Sequence, residues 1–161
     1  MAKKTFPAFV LPMMAKIAEE PFDSPDWIFK VKLDGYRGIA VFDAAGKPHL
    51  WSRNGLPLEK KFPAVAKALS NLNLRSTVLD GEVVAVDENG IPRLQLLQRF
   101  QKQPTAPTLY YVFDVLWCDG EDITGKPIVE RRRVLEQIIK SIRQPPRGPA
   151  PAGPARHSPA D

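Results

Sequence analysis

Six residues, Lys32-Leu33-Asp34-Gly35-Tyr36-Arg37, put an amine, a carboxylate, a flexible turn residue and a guanidinium side by side. A lysine amine is a nucleophile once it has lost its proton, and its ordinary pKa lies near ~10.4. Burial or a neighbouring cation would lower that value. Arg37 offers a planar fork suited to phosphate or carboxylate. Gly35 either supplies a backbone conformation closed to other residues or lets a ligand approach closely. Further along, Asp80 and Glu82 stand two apart around Gly81, so a strand would point both carboxylates into one cleft. Ser52-Arg53-Asn54-Gly55 adds a guanidinium at a turn, and Phe113 adds a ring within an apolar run. Taken singly, each has an ordinary explanation: a hairpin with solvated charges, an exposed strand, a core phenylalanine.

These residues need firm elements to hold them. Trp27 to Asp34 alternates, with Phe29, Val31 and Leu33 on one side and Lys30, Lys32 and Asp34 on the other. That pattern predicts a first strand over 27–34, with Lys30 about 7 Å from Lys32 on the same face. Strands are also expected over 36–42, 49–53, 77–86 and 109–117, separated by turns at 43–46, 54–55, 88–90 and 119–120. Helices are expected over 63–72, 94–101 and 127–142. Phe62, Val65, Ala66 and Leu69 form the apolar face of the first, and Leu135, Ile138, Ile139 and Ile142 that of the last. Strands joined by short turns with helices inserted predict an α+β fold with largely antiparallel sheet.

The chain of 161 residues is long enough for one domain with a real core. Its net charge of +5 and pI near 9.4 suit a polyanionic partner, although many mildly basic proteins bind no nucleic acid. One cysteine, Cys118, excludes an internal disulfide and a multi-cysteine metal site, and it reads as a small buried residue. Residues 1–26 read as an arm. Residues 143–161 hold six of the seventeen prolines and no large apolar side chain beyond the helix, which predicts a disordered or extended tail. No apolar run reaches the length of a membrane span. Pro7 and Pro12 break the only run that could pass for a leader, so no membrane role and a cytoplasmic location are expected.

The hexamer resembles K-x-D-G-x-R, the nucleotidyl-acceptor motif of ATP-dependent DNA ligases and mRNA capping enzymes. Ser52-Arg53-Asn54-Gly55, Asp80-Gly81-Glu82 and Tyr110-Tyr111-Val112-Phe113-Asp114 resemble the next three motifs, in order. The flanking Asp26-Trp27-Ile28-Phe29 and Gly38-Ile39-Ala40 look most like the bacterial end-joining type. The resemblance implies a nucleotidyltransferase (ATP-grasp-like) fold, with residues 27–142 a partial adenylation domain. It makes Lys32 the catalytic nucleophile and gives nucleotide contacts to Lys30, Asp34, Arg37, Arg53, Glu82 and Phe113. It implies ATP as substrate, Mg²⁺ held near Glu82, and nicked or broken duplex DNA as partner, with other end-joining repair proteins possible partners.

Lys30 departs from that family, which usually carries glutamate there to accept from the adenine amine. The later E-G-[VI]-[VM]-x-K motif, the lysine pair after it and an OB-fold domain have no counterpart in this sequence. An impaired, truncated ligase is therefore expected. A catalytically dead nucleotide- or DNA-binding remnant and a capping-type guanylyltransferase are the alternatives.

Overall fold

The computed structural model describes residues 5–14, 16–100 and 106–143. All of 101–105, including the last residue of the helix expected over 94–101, and residues 144–161 of the predicted tail lie outside the described residues. Five strands form one antiparallel sheet in the order β2-β1-β3-β4-β5. They are β1 (Tyr36–Phe42), β2 (Pro48–Ser52), β3 (Thr77–Ala85), β4 (Thr108–Cys118) and β5 (Glu121–Asp122). Helix α1 (Pro63–Ser70) follows β2, α2 (Leu94–Phe100) follows β3, and α3 (Ile128–Arg143) follows β5.

Local chemistry sets the joints. Asp43 and Asp87 each accept backbone N–H groups two and four residues ahead, and each turn closes on a glycine of positive φ, Gly46 or Gly90. Pro63 opens α1, where its missing N–H costs nothing. In α3, Glu130 lies in the first turn and Lys140 and Arg143 in the last, matching the helix dipole.

Alternation divides the sheet into two faces. Ala40, Phe42, Leu79, Val83 and Val115 meet Phe62, Val65, Leu69, Leu97, Leu135 and Ile138 from the helices, forming the main core. The opposite face carries Ile39, Val41, Val78, Leu116 and Trp117. The N-terminal arm covers part of that face: Phe6 sits edge-on to Trp117 at 5.5 Å, and Phe9 edge-on to Trp51 at 6.3 Å. The last helix turns only half of its expected stripe inward, since Leu135 and Ile138 are buried while Ile139 and Ile142 stay exposed.

The expected first strand over 27–34 does not form; those residues belong to no helix or strand. The reason lies in the ladder. β1 pairs with β2 and with β3 from Tyr36 onward, neither ladder extends back to residues 27–34, and the segment runs without a paired strand. Trp27, Phe29 and Val31 remain exposed, and Phe22 gathers Trp27 and Phe29 around itself at 5.1 and 5.7 Å. A period of two is what a strand requires, and a partner is what makes one.

Candidate active site

Of the polar residues singled out in the sequence, Arg37, Asp80 and Glu82 gather on the second face, at the end of the sheet where β1 begins. Arg37, Ile39 and Val41 alternate onto this face of β1, opposite Glu82, Asp80 and Val78 of β3. Arg37 grips Asp80 with two parallel hydrogen bonds, from Nε at 2.5 Å and a terminal nitrogen at 2.6 Å. Asp80 is buried, and burial pushes its carboxyl upward while Arg37 pulls the other way. Glu82 is half-buried and also raised, chiefly by desolvation. One of its oxygens accepts the N–H of Gly35 at 3.1 Å, which ties the Lys32 loop to β3.

Phe113 reaches the same place through a break in register. Asp80 pairs with Asp114, yet Gly81 pairs with Val112, so Phe113 is the extra residue of a β-bulge. A bulge re-aims a side chain that a regular ladder would send to the other face. The half-buried Phe113 ring lies 4.7 Å from the Arg37 guanidinium and 5.5 Å from the Lys30 ammonium. Lys30 also makes a long contact, 3.5 Å, to the Phe113 carbonyl. Partial burial lowers the Lys30 pKa, and Arg131 and Arg132 act in the same direction against Asp114.

Lys32 stands apart from this cluster. Its side chain is 87% exposed and bonds Asp34 at 2.7 Å. That bond raises its pKa, so the expected depression by Lys30 is corrected: Asp34 controls the amine, and Lys30 is not among the groups that shift it. The cause is again the missing strand, which would have set the two lysines on one face. At Gly35 the first of the two alternatives, a special backbone conformation, is excluded. Its φ is not positive, and a Cβ there would lie 2.3 Å from the Val83 carbonyl oxygen, so glycine is needed for the chain to pass against β3. Arg53 is exposed in the turn after β2, and among the described residues no hydrogen bond or ion pair joins it to the cluster.

Two contributors escaped the sequence reading. Arg131 of α3 is buried and grips Asp114 at 2.9 and 2.8 Å, with a further bond to the Lys126 carbonyl at 2.6 Å. Its signal was an arginine on the apolar side of a helix, hidden within Arg131-Arg132-Arg133. Tyr110 lies across the partnered glycines Gly38 and Gly81, and its hydroxyl donates to the carbonyls of Gly38 at 2.8 Å and Leu79 at 3.2 Å. Cys118 is half-buried rather than buried, and desolvation raises its thiol pKa.

No group of three or more His, Cys, Asp and Glu side chains able to hold a metal is found among the described residues. Asp80 is taken by Arg37 and Asp34 by Lys32, which leaves Glu82, with one oxygen not engaged by Gly35, as the carboxylate donor. One carboxylate fits Mg²⁺, which takes most of its ligands from substrate phosphates and water. No helix among the described residues is long and apolar enough to cross a membrane.

Two solved structures similar to this chain are of DNA ligases. The ligase domain of M. tuberculosis LigD is 28% identical, with a TM-score of 0.60 over 70% of this chain and 36% of that one. A mycobacterial DNA ligase D complexed with ATP and MES gives the same identity and score over 69% of this chain and 36% of that one. Residues 12–147 match the ATP dependent DNA ligase domain, and the chain belongs to that family. The multifunctional non-homologous end joining protein LigD of Pseudomonas aeruginosa is 34% identical over 89% of this chain and 17% of its own length. The SPbeta prophage-derived DNA ligase-like protein LigB of Bacillus subtilis is 37% identical over 81% and 47%. The chain thus spans less than half the length of these relatives.

Proposed function

We propose that this chain carries out the nucleotide-charging step of an ATP-dependent DNA ligase, with Lys32 as the nucleophile. The observation that carries the reading is the convergence of Lys30, Arg37, Asp80, Glu82 and Phe113 beside a loop that holds Lys32. The adenine ring stacks on Phe113, since an aromatic face meets a base at low entropic cost. Arg37 is fixed by Asp80 and offers its remaining nitrogen to ribose or phosphate; Arg53 serves the same anionic end of the substrate. Lys32 gives up a proton, with the Asp34 carboxylate 2.7 Å away as the first acceptor. Its amine forms the N–P bond to the α-phosphorus, and the bond to the bridging oxygen breaks toward pyrophosphate. AMP is then held as a phosphoramidate. Mg²⁺ bound through Glu82 and the phosphates would offset their negative charge. In the complete reaction AMP passes to a 5′-phosphate at a nick or break in duplex DNA, and the 3′-hydroxyl displaces it; end-joining proteins are the partners this implies.

The exposure and raised pKa of Lys32 favour a second reading, a nucleotide- or DNA-binding chain without chemistry. Incubation with α-labelled ATP and Mg²⁺ separates the two. Covalent label that disappears in Lys32→Ala supports the enzyme. Saturable nucleotide binding with no label on any residue supports the second reading and sinks the first.

A further inference from the structure

Resting on the ligase reading of Lys32, we propose that Lys61 is a phosphate contact for the DNA strand brought to that lysine, on the opposite side of β1 from the nucleotide. Lys61 is half-buried in the turn that leads into α1. Its ammonium stands 3.6 Å from the centre of the Tyr36 ring and 5.6 Å from that of Phe62. Among the described residues no hydrogen bond or ion pair engages it. Glu59, the nearest acid along the chain, turns its carboxylate to the Leu50 N–H at 2.9 Å. A carboxylate partner would fix the ammonium and cancel its charge. An aromatic face fixes it and leaves both the charge and the N–H donors for an incoming anion.

The position of this cation decides which anion it meets. Tyr36 is the first residue of β1 and directly follows the loop that carries Lys32. Tyr36 and Arg37 leave the strand on opposite faces. Tyr36 packs at the main core, 5.6 Å from the Phe62 ring, while Arg37 bonds Asp80 on the second face. A nucleotide stacked on Phe113 lies on the Arg37 side, with β1 between it and Lys61. The Lys32 loop precedes the strand and can be approached from either side. A phosphate that meets Lys61 therefore belongs to a second ligand, and the second phosphate-bearing substrate of a ligase is DNA. Lysine suits such a contact, as a point charge that follows the backbone without reading sequence.

The test measures binding of a nicked duplex to the full chain by fluorescence anisotropy across a salt series. Wild type is compared with Lys61→Gln, Lys61→Arg and Lys67→Gln; Lys67 is exposed on α1 and is the charge-matched control. Melting curves report folding, and Lys61→Met, which keeps an apolar stem against the ring, replaces Lys61→Gln if that variant unfolds. Losing one phosphate contact is expected to make the slope of log affinity against log salt shallower by about 0.9 in Lys61→Gln. Lys61→Arg and Lys67→Gln should keep the wild-type slope, and ATP binding should stay unchanged throughout. An unchanged slope in Lys61→Gln, or an equal loss in Lys67→Gln, overturns the contact. So does a wild type that binds no duplex, or weakened ATP binding at an unchanged DNA slope, which would assign the cation to the nucleotide. Repeating the series with a 5′-hydroxyl at the nick identifies the phosphate: an effect with both ends supports a backbone contact, and one confined to the 5′-phosphate supports a contact at the reacting end. Labelling of Lys32 by α-labelled ATP, read in parallel, keeps the two claims apart. Label without a slope change sinks the Lys61 contact alone, and a slope change without label supports the contact and sinks the charging step.

Discussion

Asp80 and Asp114 face each other across the β3–β4 ladder, and each carboxylate is clasped bidentately by an arginine from a different element. Two buried anions side by side would repel. Arg37 from β1 and Arg131 from α3 bracket the two anions with a cation at each end, in a row that crosses β1, β3 and β4 and fastens the helix to the sheet. The bulge at Phe113 lies directly beside the row, so the row also fixes where the ring stands.

Removing one end of the row leaves a buried charge without its partner. Arg131→Ala is expected to destabilise the fold by about 3–5 kcal/mol, the usual cost of stripping one member from a buried pair. Adding Asp114→Ala to it should recover part of that loss. Urea unfolding of the two single variants and the double variant measures the coupling; simple additivity would mean that the pair contributes nothing.

The two glycines under Tyr110 make a slot for its ring. A Cβ on Gly81 would lie 2.5 Å from the Tyr111 carbonyl oxygen and 2.6 Å from the Tyr110 ring. Gly81→Ala is therefore expected to cost at least about 1–3 kcal/mol by overpacking against backbone that cannot move alone. Gly125→Ala, with open space around its position, is the matched control and should stay within about 0.5 kcal/mol of wild type. Tyr110→Phe keeps the ring and loses its hydroxyl bonds, for about 1 kcal/mol. Thermal melts rank the three; equal effects from Gly81 and Gly125 would remove the slot as an explanation.

Much of this was legible in the sequence, for physical reasons that differ by element. Strands β1 to β4 and the three helices announce themselves because each has a periodic apolar face and a turn residue at its ends. Residues 27–34 carry an equally clear alternation and fail, because local pattern says nothing about whether an edge is open beside them. Four of the proposed nucleotide contacts, Lys30, Arg37, Glu82 and Phe113, lie close together, though the register that brings Phe113 round is a bulge no periodicity foretells. Arg131 was invisible for the opposite reason. Its partner lies seventeen residues away, and three consecutive arginines look like a solvated run until one of them is buried.

Lys32 offers a prediction about pH. The hydrogen bond and charge of Asp34 raise its pKa, so its amine is more fully protonated at a given pH than a free lysine. Asp34→Asn removes the leading cause and should move the pH at which Lys32 reacts with an amine-directed reagent downward. Lys30→Glu should move it less, since Lys30 takes no part in the shift. Mass spectrometry of labelled peptides across a pH series reads both. A larger shift from Lys30→Glu would restore the neighbouring-lysine explanation that the structure sets aside.

Phe113 separates a stacking role from a packing role. Its ring is half-buried and lies outside both apolar clusters, with Arg37 and Lys30 against it in place of aliphatic side chains. Truncating it should therefore leave the main core untouched and change melting little. Loss of a stacking surface, by contrast, costs a bound base about 1–3 kcal/mol, roughly fivefold to 150-fold in affinity. Phe113→Ala is expected to weaken nucleotide binding by that factor at nearly unchanged stability, while Phe113→Tyr, which keeps the aromatic face, stays close to wild type. Triphosphate alone, titrated as a competitor without a base, should bind the wild type and Phe113→Ala alike, because the ring contacts only the base. Equal weakening of nucleotide and bare triphosphate would mean that the truncation frees Arg37 and disturbs the phosphate end, and the ring would then be a support for the guanidinium instead of a platform for the base.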